Sequence, residues 1–242
     1  MKIGVVIPTL DEAGAIEAAL RSLGAAGPGD GAELAASLVE VEVVVADGGS
    51  RDDTCARARM AGARVIDLPR DPTQGRARQL QAGFTACAGD AVLFLHADTR
   101  LPEGWALAVK RALADPSIVG GAFRFRFDPQ EGVSPLLRLI EWGARLRAAL
   151  FALPYGDQAL FVRRPALEKM GGVPQAPFME DLDLVRAMKR HGRIARLPEP
   201  ATTSSRRYRE AGVLRTFARN LVSLLAWRLG LDRARVAAWY RR

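Results

Sequence analysis

The chain has 242 residues, 49% of them hydrophobic, an ordinary globular composition that can bury one sizeable core or two small ones. Lys and Arg total 35 against 27 Asp and Glu, a net charge of +8, and lysine stands only at Lys2, Lys110, Lys169 and Lys189, so the cations are mostly arginine forks suited to phosphate and carboxylate. No apolar window reaches the length of a membrane span, Cys55 and Cys87 form neither a metal-type pair nor a disulfide framework, and no zinc-finger, RNA-binding or basic-zipper signature makes nucleic acid an expected partner.

The N-terminal run MKIGVVIPTL meets Pro8 before any cleavage-like site, so it does not read as a signal peptide and a cytoplasmic protein is expected. Ile3–Ile7 is the first strand, followed by PTLDEAG. There Asp11 and Glu12 suit either the dipole of the next helix, Glu12–Leu23, or a ligand. Gly24–Glu33 reads as a flexible insertion between elements. The second strand, Val41–Ala46, runs into DGGSRDDT. A tight turn with Ser50 as helix cap and Asp53 at the capping-box position explains Gly48 to Asp53. It does not explain Asp47, whose carboxylate can accept from a nucleobase N–H or a ribose hydroxyl.

A helix at Asp52–Ala61, a strand at Arg64–Asp67 and a helix at Arg76–Cys87 follow. The last of these opens on Arg76 and Arg78, and arginine at a helix N-terminus attracts phosphate. The strand Ala91–Leu95 delivers His96, Ala97 and Asp98 at its end. Asp98 there is a natural anchor for a divalent cation facing a diphosphate. His96, two residues earlier, is either a second ligand or a packed core histidine.

Beyond residue 115, Gly121–Asp128 alternates apolar and basic residues and predicts a half-exposed strand. A helix capped by Ser134 with Pro135 in its first turn comes next, then a strand at Ala159–Val162. FMEDLDLVRAMKRHG predicts a helix stopped by Gly192, its first turn holding Glu180, Asp181 and Asp183. Acids there suit the dipole, and an acid at a loop–helix junction is also placed to act as a general base. Arg206, Arg207 and Tyr208 form either a solvated charge cluster or a phosphate clamp with an aromatic wall. Helices at Val213–Leu229 and Asp232–Tyr240 close the chain. Alternating strands and helices predict a largely parallel sheet with ligands bound beyond the strands' carboxyl ends.

In order and spacing, IPTLDEA, VVVADGGSRDDT, GRARQLQAG, LFLHADTRLP, GDQALFVRR and FMEDLDLVRAMKRHG resemble the family 2 glycosyltransferases, the inverting GT-A group, over roughly residues 2–210. The resemblance implies one GT-A-type domain spanning residues 1–242, an open mixed α/β sheet. Residues 1–115 would form the nucleotide-sugar half, 116–210 the acceptor half, and the C-terminal helices would lie beyond. It implies a UDP-linked donor held by Pro8, Leu10, Glu12, Asp47, Arg76, Ala97, Asp98, Arg206, Arg207 and Tyr208. It implies Mn²⁺ or Mg²⁺ on Asp98, with His96 where relatives carry the first acid of Asp-x-Asp, and an acceptor contacted by Asp157 and Gln158. Asp181 matches the acid that deprotonates the acceptor, with Glu180 as its substitute. Competing expectations are nucleotidyl transfer to a sugar phosphate and a non-catalytic basic module binding nucleic acid or anionic membrane. The amphipathic stretches PLLRLIEWGARLRAALFALP and VLRTFARNLVSLLAWRLGL suit core packing or a dimer interface; alternatively they suit peripheral contact at the inner membrane face, which would favour a lipid-linked acceptor.

Overall fold

The computed structural model describes residues 1–24, 39–71, 75–151 and 156–240. Apart from Gly24, the expected insertion Gly24–Glu33 lies outside them. The strands, in chain order, are β1 (Lys2–Thr9), β2 (Glu40–Asp47), β3 (Arg64–Asp67), β4 (Ala91–Phe94), β5 (Thr99–Arg100), β6 (Ile118–Phe127), β7 (Leu160–Arg163) and β8 (Arg193–Thr203). The helices are α1 (Ile16–Ser22), α2 (Thr54–Met60), α3 (Gly75–Ala86), α4 (Trp105–Ala112), α5 (Pro135–Phe151), α6 (Arg164–Lys169), α7 (Glu180–His191), α8 (Arg206–Ala211), α9 (Val213–Arg228) and α10 (Arg233–Tyr240).

All eight strands join one sheet in the order β3-β2-β1-β4-β7-β6-β8-β5. β1 pairs in parallel with β2 and β4, and β2 with β3. The polarity reverses at β7, which runs antiparallel to both β4 and β6. The expected open mixed α/β sheet, parallel in its first half, is therefore present. Side chains of β1 alternate between two layers. Ile3, Val5 and Ile7 pack with Ile16 and Leu20 of α1 and Trp105 and Val109 of α4. Val6 points to the opposite face and packs with Leu80 and Phe84 of α3 and Val185 and Met188 of α7. A Cβ on Gly83 would stand 2.2 Å from Val6 Cγ1, so α3 sits closer to the sheet than any larger residue allows. That approach holds the N-terminus of α3 over the carboxyl ends of β1 and β2.

Two expectations are corrected. β6 is half-exposed only towards its end: Ile118 and Arg124 are partly buried and Arg126 is exposed, while every other residue of the strand is buried. Its first half lies between β7 and β8 in the middle of the sheet. Ser50 does not cap α2; its hydroxyl donates to Asp47 Oδ1 at 2.5 Å, and Asp52 accepts from the Thr54 amide at 3.0 Å instead. The Ser134 cap of α5 is present, its hydroxyl oxygen accepting from the Leu137 amide at 3.3 Å.

Candidate active site

The ends of β1, β2 and β4 open onto a cleft of about 480 Å³. Pro8 and Leu10 flank one side, Pro69 and Arg70 another, and Arg76 and Gln79 of α3 form the floor. Glu12, Ala97, Asp98 and Arg207 also line it. Gln79 Nε2 donates to the carbonyls of Thr9 at 2.6 Å and Ala46 at 3.0 Å, tying α3 to the tips of β1 and β2.

Asp47 does not reach this cleft. It is 2% exposed, and its carboxylate accepts from the Thr9 hydroxyl (2.8 Å), the Ser50 hydroxyl (2.5 Å) and the amides of Gly49 (2.9 Å) and Ser50 (2.7 Å). Burial works to raise its pKa, but these four hydrogen bonds outweigh burial and hold it below the usual carboxylate range. The expected nucleoside contact is thus corrected: all of the strong acceptor capacity of Asp47 goes into the turn.

A second cleft of about 370 Å³ adjoins the first and shares Arg76, His96, Asp98 and Arg207 with it. Arg76 is the hub. Its Nε donates to Glu180 Oε1 at 2.6 Å, its Nη1 lies 2.6 Å from His96 Nε2, and its Nη2 is 3.9 Å from Asp181 Oδ2. Burial lowers the His96 pKa well below its ordinary value, and the charges of Arg76 and Arg207 add to this. A neutral imidazole then offers its Nε2 lone pair to the guanidinium, which occupies the atom that a cation would need. Glu180 is 3% exposed and anchors Arg76. Asp181 is more open, and its Oδ2 accepts from the Gly156 amide at 2.7 Å. A Cβ on Gly156 would stand 3.0 Å from His96 Nε2 and 3.1 Å from Asp181 Oδ2, so this glycine fits inside the network.

Asp157 lines the second cleft, and its Oδ1 is buried with no hydrogen-bond partner. Burial pushes its carboxyl up to about 6; Arg147 opposes that, while Asp181 and Asp98 add repulsion. Gln158 is turned inward instead: it is buried, its Nε2 donates to the Phe123 carbonyl at 3.1 Å, and the expected acceptor contact is corrected. Arg206 bonds Glu12 at 2.9 Å and lines neither of the two clefts, whereas Arg207 lines both. Burial raises the Glu12 pKa against the pull of Arg206, and the charge of Asp98 raises it further.

Tyr208 forms part of the second cleft, edge-on to Phe127 at 5.2 Å between centroids. Its hydroxyl accepts from Asn220 Nδ2 at 3.0 Å, and Asn220 Oδ1 accepts from the Tyr240 hydroxyl at 2.9 Å. Sequence reasoning missed Gln79, Gly156, Asn220 and Tyr240. The one available sign for Asn220 was that it is the sole asparagine of the chain, followed by the largely apolar run LVSLLAW.

Among the described residues, Asp47, Cys55 and Asp67 also place potential metal donors within 4.8 Å of one another. Burial and the two neighbouring acids push the Cys55 thiol up to about 12, Asp47 is saturated, and Asp67 pairs with Arg59 at 2.6 Å. The three donors are thus engaged with neighbouring residues.

Residues 4–170 match the glycosyl transferase family 2 profile. The chain belongs to glycosyltransferase family 2. Glucosyl-3-phosphoglycerate synthase of Mycobacterium tuberculosis is 37% identical over 106 residues, an alignment covering 42% of this chain but only 30% of the synthase. A crystal structure of the M. tuberculosis synthase with Mn²⁺, UDP-glucose and glycerol 3-phosphate superposes with a TM-score of 0.63 and 25% identity over 96% of this chain and 81% of that one. Staphylococcus aureus TarS in complex with UDP-GlcNAc shares the fold, with a TM-score of 0.62 and 19% identity over 84% of this chain and 58% of that one. No helix among the described residues is long and apolar enough to cross a membrane.

Proposed function

We propose that this protein transfers a sugar from a UDP-linked donor to an acceptor hydroxyl, with inversion at the anomeric carbon. The observation that carries the proposal is the joining of two clefts at Asp98, Arg76 and Arg207, with Asp181 on the side away from the nucleoside pocket. The base and ribose would lie between Pro8, Leu10 and Pro69, and the diphosphate would face Arg76, Arg207 and the N-terminus of α3. UDP-glucose, present in the complex of the mycobacterial synthase, is the donor to test first.

Asp98 fits a hard divalent cation. Its carboxylate lies in both clefts, and its one hydrogen bond described here, from the Thr99 hydroxyl, is long at 3.4 Å. A cation held there would supply Lewis-acid neutralisation of the leaving diphosphate. The chain's own groups do the rest. Glu180 and His96 hold Arg76 beside Asp181, and the Gly156 amide fixes the Asp181 carboxylate. Asp181 takes the acceptor proton as the acceptor oxygen bonds to the anomeric carbon; the carbon–oxygen bond to UDP breaks and its electron pair leaves with the diphosphate. A single displacement inverts the centre.

The test is thermal melting with UDP-glucose, with and without Mn²⁺, followed by turnover. Stabilisation that needs both ligands in wild type and disappears in Asp98→Ala is expected. Asp181→Asn should retain that stabilisation and lose about 10²–10⁴-fold in kcat. Full turnover by Asp181→Asn overturns the assignment of the base.

A further inference from the structure

A third cavity of about 440 Å³ runs between α5 and α9. Its walls are apolar: Leu139, Ile140 and Trp142 from α5, and Leu214, Phe217 and Leu221 from α9. Much of this surface faces solvent, with Trp142 59% and Leu214 69% exposed. Arg147 also lines the cavity, and exposed apolar surface of this kind beside charge marks a binding site more often than an accident of packing.

The groove is continuous with the reaction cleft, because Phe125, Asp157, Tyr208 and Asn220 line both. At that threshold the Asp157 Oδ1 is buried without a partner. A buried acceptor left unsatisfied is costly, and a donor that arrives with a ligand would relieve that cost. An interface with a second copy, or a resting place on a bilayer, accounts for the apolar walls but not for a partnerless carboxylate oxygen on the wall shared with the reaction cleft.

We propose that the acceptor is a single-chain amphiphilic diol: one hydroxyl donates to Asp157 Oδ1, the second is the one that gives its proton to Asp181, and the apolar chain lies along the groove between α5 and α9. This deepens the glycosyl-transfer proposal and rests on it. The cavity volume falls in the range of small-molecule sites. Tyr208, held by Asn220, lines both the polar and the apolar parts.

The experiment is a chain-length series of glycerol and its 1-O-butyl, octyl and dodecyl ethers, kept below micelle formation. Binding is read by tryptophan fluorescence, and transfer is read with the nucleotide sugar that stabilises the protein. Affinity and kcat/KM should rise with length, by up to roughly fourfold per methylene buried. The double variant Leu139→Glu, Phe217→Glu, both at exposed positions, should flatten the series while melting like wild type. Asp157→Asn should raise KM for dodecylglycerol and leave the UDP-glucose melting shift intact. Turnover indifferent to chain length overturns the groove assignment and spares the transferase proposal. Binding that climbs with length, with no donor-dependent turnover, overturns the transferase proposal and the acceptor role together. Loss of a wild-type dimer in the double variant, or flotation with phosphatidylglycerol vesicles without a length effect on transfer, assigns the face to a second copy or to a bilayer and overturns the proposal.

Discussion

Asp47 ends β2 and Asp98 follows β4 in the same half of the sheet, yet their surroundings divide their work. Asp47 is enclosed by two hydroxyls and two amides, so its charge stabilises the fold. Its folded pKa is depressed, so its contribution is present above the usual carboxylate range and is lost as pH falls through the folded value. Asp47→Asn should cost about 1–3 kcal/mol at pH 7 by urea unfolding, and the two proteins should converge on acidification. Sequence showed that this acid exceeded what the turn's glycines and cap required. It could not show that Thr9, 38 positions earlier, would claim a lone pair. The placement of Asp98 and Asp181 in the clefts was legible because the segment after a strand and the start of a helix each fix where a short side chain can go. Gly156 was not legible, since its neighbours His96 and Asp181 come from distant parts of the chain. Gly156→Ala should cost at least tenfold in kcat with little change in melting temperature, because a methyl group there meets Arg76 and its partners.

Elements positioned by hydrophobic period were readable, and those positioned by exceptions were not. β8 carries Pro198 and Pro200, which argue against a strand when read alone. It pairs with β6 nonetheless, because the register shifts between Ala122↔Arg196 and Arg124↔Pro200, and the irregularity absorbs the missing amides. α3 was readable from its pattern, but its depth was not, because that depends on Gly83 meeting Val6 across the sheet. The C-terminal helices were readable as amphipathic, and one acid joins both of them to α7. Asp183 in the first turn of α7 bonds Arg233 of α10 and accepts from Trp227 Nε1 of α9 at 3.0 Å. The same turn carries Asp181, so the clamp ties the far helices to the proposed base. Asp183→Ala should destabilise by about 2–3 kcal/mol and raise hydrogen exchange in α9 and α10 before the rest of the molecule. Uniform exchange across all helices would disprove that order.

At the scale of the molecule, the net charge of +8 conceals a cleft lining in which Glu12, Asp98, Asp157, Glu180 and Asp181 stand among Arg70, Arg76, Arg78 and Arg207. A polyanion-binding module would not gather carboxylates there, whereas a site for a cation-bridged diphosphate and a proton acceptor needs them. The proposed donor and acceptor sides are held together by β7. Phe161 stands opposite Leu93 of β4 on one side and Gly121 of β6 on the other, and meets Phe123 edge-on at 6.2 Å. The core cluster containing Phe161 takes in β1, β2, β4, β6 and β8, so no seam divides the sheet where its polarity reverses. We therefore expect both halves to unfold in one transition. Phe161→Ala should cost about 3–5 kcal/mol, and loss of UDP binding should coincide with loss of far-UV signal at every urea concentration. Two separated transitions, with the nucleotide site surviving the first, would show that the parallel half stands without its antiparallel partner.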